Sequence, residues 1–491
     1  MISILLLIIP SITKGSFYGE VFRFAIVTDN DYFFNDTPNF WKSNLKFGSF
    51  IENENGLYDL IWEGDKPLTY RCHRRNNRSM ELSELVAYHG KLYGFCDMTG
   101  IMFEITKDLS AVPIQILFGG NGLRFPHNIN PSFDYRPYSE KKHERVTSSS
   151  ELFKKFDHLN SSRFTHFEFP SLDDPSVVQP SYFEYDKFYV PLKTERTQSS
   201  SSEFVVPQHC DIDWKEIPAP QKTEWATVKD DLLYVGSTGR EWITREKMIN
   251  HYDMEWVNIL AERSTPNPNE PTIPMPVYHS NFSSPYTRMR LTTGTQFPGY
   301  LLHESAVFDE AHREWIFLPK HESFERYDEI KDECAGSNTL LVCSENFTSI
   351  STSTLGPKEP AWGVSSFRLL PQHKLSQKRH PNRRALAMVK TTERGVGERR
   401  QLLSKVGIFD INSGESLLNT PVTSQNAITR IYHDETRTNC ENDSGTNDDL
   451  FVWTNDVNKY EGFEFLEGTN LEHIRIWNGK IIDLRPPHKK N

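Results

Sequence analysis

The 491-residue sequence has six cysteines but no Cys-x-x-Cys pair, which argues against a structural zinc site. It also lacks an apolar run of the roughly 20 residues that a membrane-spanning helix needs. Lys and Arg number 55 against 66 Asp and Glu, giving a net charge of −11. No excess of positive charge is present to attract nucleic-acid phosphates or an anionic membrane surface. Amphipathic helical windows are scarce, which points away from a helical domain.

The even cysteine count permits disulfides in an oxidising compartment. Cys334 and Cys343 are close enough in sequence to close a small loop, whereas the pairing of Cys72, Cys96, Cys210 and Cys440 is not legible. The chain opens on an apolar run to Ile9, followed by Pro10 and a small-residue site at Thr13-Lys14-Gly15. Residues 1–15 are therefore expected to be a signal peptide, the alternative being a buried N-terminal strand. Sequons at Asn35, Asn77, Asn160, Asn281, Asn346 and Asn442 agree with a secretory route. No Lys-Asp-Glu-Leu ending is present, so secretion is favoured over a lumenal address.

Strand signals dominate, and one unit recurs: an acidic or hydroxyl residue, a β run, a tight turn and a second β run. The first copy runs from Glu81 to Tyr88, turns at His89-Gly90 and continues through Lys91–Gly94. The second is Glu224–Val228, Asp230-Asp231, Leu232–Gly236, and the third His303–Phe308, Ala311-His312, Glu314–Leu318. The fourth joins Val364–Leu370 to Ala385–Val389 across a long interruption, and the fifth starts at Tyr460-Glu461-Gly462. Serial units of this kind predict an all-β, five-bladed β-propeller, a single domain over residues 16–491. The innermost strands would then bring Ser83, Glu224, Glu304, Ser365 and Glu461 to one axis. An all-oxygen ring suits a hard cation, with Ca2+ favoured by a roomy set of many oxygens.

Three stretches fall outside the repeat: 124–220, rich in Ser, Pro and charge; the basic 372–402; and the polar 434–456. Each is expected to be a surface insertion between strands. Asn478-Gly479 between Ile474–Trp477 and Lys480-Ile481-Ile482 predicts a two-residue hairpin. Phe22–Val27 is another strand, expected to complete a blade from the opposite terminus.

A set of motifs runs along the chain in one order: Ala25-Ile26-Val27-Thr28-Asp29-Asn30-Asp31, Met80-Glu81-Leu82-Ser83-Glu84-Leu85, Asp97-Met98-Thr99-Gly100 and Thr223-Glu224-Trp225. Gly239-Arg240-Glu241-Trp242, Pro298-Gly299-Tyr300-Leu301-Leu302-His303-Glu304-Ser305, Glu325-Arg326-Tyr327, Val364-Ser365-Ser366-Phe367 and Tyr460-Glu461-Gly462 complete it. In these motifs the sequence resembles the soluble calcium-activated nucleotidase (apyrase) family. The resemblance implies a five-bladed propeller that hydrolyses nucleoside di- and triphosphates and releases inorganic phosphate. It places a calcium ion on Ser83, Glu224, Glu304, Ser365 and Glu461, acidic catalytic groups at Asp29 and Asp97, phosphate-binding positions at Arg78 and Arg326, and a base-binding position at Trp242. Where the family carries Asp-Gly-Asp-Gly, this chain has Gly119-Gly120-Asn121-Gly122, which keeps the glycines and loses two carboxylates. The alternative function is a catalytically weakened propeller that binds nucleotides or a protein partner. No nucleic-acid partner and no stable membrane span are expected.

Overall fold

A computed structural model describes residues 19–29, 40–71, 80–120, 158–159, 162–169, 220–243, 249–261, 275–372, 378–381, 383–394, 401–419, 440, 450–454, 458–477 and 480–484. The proposed signal peptide and the sequons at Asn35, Asn77, Asn160 and Asn442 lie outside them.

The structure is the expected five-bladed β-propeller. Blade I has the strand order Tyr460–Phe465, Val21–Thr28, Phe40–Glu52, Tyr58–Arg71, from the axis outward. Blade II is Leu82–Tyr88, Lys91–Cys96, Ile101–Ile105, Ala111–Ile116. Blade III is Trp225–Lys229, Leu232–Gly236, Trp256–Leu260, Val277–Asn281. Blade IV is Tyr300–Asp309, Glu314–Ser323, Thr339–Ser344, Ser349–Thr354, and blade V is Gly363–Leu369, Ala385–Arg394, Gln401–Asp410, Val452–Trp453. Phe24↔Phe465 and Ile26↔Phe463 pairing joins the two ends of the chain in blade I, as the sequence predicts.

Turn chemistry sets the blades. His89 and Gly90 have φ of 47° and 74°, and Asp230 and Asp231 have 51° and 63°. Two successive positive φ values give the turn whose twist matches a right-handed strand pair, and Asp tolerates the left-handed region better than most residues.

Each apolar core lies between neighbouring blades. Trp41 and Leu45 of blade I meet Leu82 and Leu92 of blade II. Tyr93 and Met102 of blade II meet Leu233 and Val235 of blade III. Trp225 meets Trp315, Ile316 meets Phe367, and Val389 meets Phe24, which closes the circle from blade III through IV and V back to I. Side chains alternate across each strand, so both faces of every blade are spent on this packing.

Several features depart from the sequence reading. Within 124–220, Thr165–Glu168 adds a fifth strand to blade IV, and Leu159 and Phe164 are buried in the core. Strand Ala385–Arg394 runs through the basic stretch 372–402, and Arg384 is buried between Asp309 and Glu314 at 2.6 and 2.9 Å. The outer strand of blade V, Val452–Trp453, lies within 434–456. Cys334 bonds Cys440, 106 residues away, not Cys343. Cys343 pairs across from Trp315 inside blade IV and is a buried free thiol, as is Cys96. Burial pushes the Cys96 thiol up to about 12 and raises Cys343 as well. Helix Ser283–Thr293 was not legible either. No helix among the described residues is long and apolar enough to cross a membrane. The strands flanking Asn478-Gly479 pair as a hairpin, with Trp477 opposite Lys480.

Candidate functional site

Four of the five expected axial residues share one backbone feature. On blade II, Leu82 pairs with Cys96 and Glu84 with Phe95, so Ser83 is an extra residue in the inner strand. On blade V, Val364 pairs with Lys390 and Ser366 with Val389, passing over Ser365. On blade I, Tyr460 faces Thr28 and Gly462 faces Val27, passing over Glu461. On blade IV, Glu304 and Ser305 lie between the pairs His303↔Pro319 and Ala306↔Phe317, opposite Leu318 alone. Such bulges re-aim a side chain out of the ladder. Glu224 stands just before the inner strand of blade III, its N–H bonded to Gly236 O at 2.9 Å. Ser83, Glu224, Ser365 and Glu461 are buried, and Glu304 is partly buried.

The three glutamates meet in one charged network. Lys320 Nζ lies 2.6 Å from Glu304 Oε2 and 3.1 Å from Glu461 Oε1. Lys459 Nζ is 3.1 Å from the same Glu461 oxygen, 2.9 Å from Asp29 Oδ2 and 3.1 Å from Glu393 Oε1. Lys222 Nζ is 2.5 Å from Glu224 Oε1 and 2.7 Å from Asp97 Oδ2. Burial pushes Glu224 well above the usual carboxylate range; Lys222 opposes this, while Glu304, Asp97 and Glu461 add to it. Lys320 is held charged against burial by Glu304 and Glu461. The two serines turn elsewhere: Ser83 Oγ donates to Thr223 O at 2.5 Å, and Ser365 Oγ lies 2.5 Å from Thr391 Oγ1.

Beside the ring lies a second group of carboxylates. Asp29 follows the strand Val21–Thr28, and its N–H bonds Lys459 O at 3.0 Å; Asp97 follows Lys91–Cys96, and its N–H bonds Glu81 O at 3.1 Å. The second bond joins two members of a trio, Asp29, Glu81 and Asp97, whose carboxylate oxygens lie within 4.8 Å of one another, all three residues being buried. Beyond the ring, the inner strands of three blades close the axis. Arg368 Nε donates to Glu464 Oε2 at 2.8 Å, its Nη2 is 3.2 Å from Glu84 Oε1, and Ser366 Oγ donates to that oxygen at 2.9 Å. Burial raises Glu84 to about 7, with Arg368 opposing.

Trp242 and Arg326 stand apart from the charged network. Trp242 is 38% exposed and pairs with His251 across a short hairpin, the two rings parallel with centroids 5.9 Å apart. Arg326 is exposed, its guanidinium 5.1 Å from the Phe297 ring centroid. The segments that carry them meet where Arg240 stacks on Tyr327 at 3.7 Å. Burial raises the Tyr327 phenol above its usual value, and Lys222 lies near enough to oppose that shift, so this contact borders the network. Arg78 lies outside the described residues.

Sequence reasoning missed Glu81, Lys222, Lys320 and Lys459 as members of the site. A signal existed for three of them: Glu81, Lys222 and Lys459 stand two residues before Ser83, Glu224 and Glu461. Positions i and i+2 point to the same face of an extended chain. Lys320 carries no such mark. The acceptors gathered here are carboxylates, paired with the ammonium groups of Lys222, Lys320 and Lys459, and carboxylates are the ligands a hard divalent cation takes.

Fold and site together define a class: a propeller whose bulged inner strands collect buried carboxylates on the axis. Residues 28–126 and 196–428 match the apyrase family, and the chain belongs to it. Soluble calcium-activated nucleotidase 1 of Rattus norvegicus is 27% identical over 364 residues, 74% of this chain and 64% of that protein. An apyrase of Cimex lectularius is 35% identical over 355 residues, 71% of this chain and 69% of that protein. An apyrase of Phlebotomus duboscqi is 23% identical over 367 residues, 74% and 77% of the two chains. The chain thus spans less than two thirds of the length of the rat relative.

Proposed function

We propose that this protein is a calcium-dependent hydrolase of nucleoside di- and triphosphates that releases inorganic phosphate. The observation that carries the reading is the meeting of Glu224, Glu304 and Glu461 in one network with Asp29 and Asp97, in a chain of the apyrase family. The relatives' printed names, apyrase and calcium-activated nucleotidase, support the same activity.

Ser83, Glu224, Glu304, Ser365 and Glu461 would hold the calcium ion. Bound there, the ion offsets the repulsion among the glutamates and supplies positive charge toward a polyphosphate. Asp29 Oδ2 and Asp97 Oδ2 each accept a hydrogen bond from a lysine ammonium, at 2.9 and 2.7 Å, which fixes the orientation of both carboxylates. Either carboxylate then takes the proton of the water that attacks phosphorus. Arg326 and Arg78 bind phosphate oxygens through their forked donors, and the exposed face of Trp242 stacks on the base. The buried Arg368–Glu84–Glu464 contacts close the far side of the axis, so substrate enters and product leaves by the same mouth.

The protein is read as secreted through a signal peptide over 1–15 and glycosylated, with exposed Asn346 the best placed of the described sequons. Loss of mass on treatment with an N-glycosidase checks the second point. The activity is tested by phosphate release from ADP and ATP, with calcium and after chelation. Nucleotide binding without phosphate release would favour the weakened propeller that the Gly119-Gly120-Asn121-Gly122 loop suggests.

A further inference from the structure

Lys320 reaches the axis by an unusual route. It belongs to Glu314–Ser323, the second strand of blade IV, while the ring residues lie on innermost strands or, for Glu224, directly before one. Its stem passes blade V, where a Cβ on Gly363 would stand 2.2 Å from Lys320 Cγ and 3.0 Å from Lys320 O. A side chain at position 363 would therefore block the path. At the end of that path the ammonium bridges Glu304 of blade IV and Glu461 of blade I at 2.6 and 3.1 Å. Between those two blades the ring member is Ser365, which carries no charge. Lys320 thus supplies a positive charge where the ring has a neutral residue flanked by two carboxylates. The side chain is 12% exposed, so water screens these contacts little.

We propose that Lys320 is a positioning residue that holds Glu304 and Glu461 in place and sets how tightly the ring takes calcium. This rests on the reading of the ring as a calcium site. The ammonium does two opposed things. It draws the glutamates together in calcium-free protein, which stabilises the fold. It also repels an incoming divalent cation and lowers the charge that would attract one. Removing the charge should therefore weaken the calcium-free fold and tighten calcium binding. A residue with only a structural role would weaken both together.

The test compares wild type with Lys320→Met, and with Lys320→Gln as a second neutral variant should the first not fold. Melting temperature is measured in chelator and in calcium, and calcium affinity by calorimetric titration of the stripped protein. Both neutral variants are expected to melt below wild type in chelator, yet to bind calcium roughly tenfold tighter or more, the scale of a nearby like charge in a poorly solvated site. Lys320→Arg, which keeps the charge, should restore affinity close to wild type. Neutral variants whose calcium affinity is unchanged or weaker would overturn the proposal while leaving the calcium site standing. A wild-type protein that does not bind calcium would overturn the calcium reading itself, and this proposal with it.

Discussion

Gly462 follows Glu461 on the inner strand of blade I, where that strand packs against the backbone of blade II. A Cβ built there would stand 2.7 Å from Glu84 C, 2.8 Å from Leu85 N and 2.8 Å from Val27 Cγ1. The first two atoms are backbone, so no rotamer change relieves Gly462→Ala; the two inner strands must separate. Overpacking of this kind costs about 1–3 kcal/mol, and the loss of unfolded-state freedom returns roughly 0.4–1 kcal/mol, leaving a net loss of about 1.3 kcal/mol at the midpoints of these ranges. For a chain of 491 residues, an unfolding entropy near 2.1 cal/mol/K per residue converts this to a Tm drop of about 1.3 °C. The same separation parts Glu461 from Ser83, so the rise of Tm with calcium should shrink too. Gly468→Ala is the control: nothing lies within 4 Å of its Cβ, and φ is +70°, so it carries backbone strain without a clash and should keep its calcium response. Calorimetric melts with and without calcium read both effects. If Gly462→Ala melts and responds to calcium like wild type, the close approach of blades I and II at the ring is wrong.

Asp29→Asn and Asp97→Asn should each lower turnover by about 10²–10⁴-fold, the usual contribution of an acid–base group. Lys459 and Lys222 each retain another carboxylate, so melts of the two variants should stay near wild type; unchanged turnover in both removes them from the mechanism. Burial, with Glu241 adding to it and Ser283 and Arg290 opposing, raises Glu255 to about 7 from an ordinary 4.5. Its protonated form therefore stabilises the fold fully below about pH 4.5, and that contribution is lost as pH rises to about 7, on the order of 3 kcal/mol. Glu255→Gln should flatten this slope in urea midpoints taken from pH 4.5 to 8, and a curve parallel to wild type would refute it. Arg384→Met leaves Asp309 and Glu314 buried without their shared cation, at a cost of about 3–5 kcal/mol; a urea midpoint within error of wild type would show that the pair is not held as described.

What was legible in the sequence was what repeats locally. His89-Gly90 and Asp230-Asp231 announce their turns, and four of the five residues read as axial from the start of each β run, Ser83, Glu304, Ser365 and Glu461, land at bulges. What stayed hidden depends on distant parts of the chain. Lys320 and Arg384 are ordinary surface residues until the neighbouring blades place carboxylates against them. Cys334 reaches Cys440 across 106 residues, and no spacing rule could pick that partner over the nearer Cys343. Helix Ser283–Thr293 escaped because it buries Arg288 and Arg290 beside Tyr286 and Met289, which breaks the usual apolar inner face. Arg288 donates to Phe347 O at 2.9 Å and Arg290 to Glu241 Oε1 at 2.8 Å, so both guanidinium groups find acceptors inside. The acidic trio Asp29, Glu81 and Asp97 was legible in part: the resemblance marked two members, and backbone bonding adds the third.

If the axial carboxylates make a calcium-dependent nucleotide hydrolase, turnover follows the metal. Phosphate release from ADP, measured in calcium, in magnesium alone and in chelator, tests it most directly. Steady release is expected in calcium, little in magnesium, whose preference for a tight octahedron and retained water suits the roomy ring poorly, and none in chelator. Equal release in magnesium and calcium, or release that survives chelation, would contradict it.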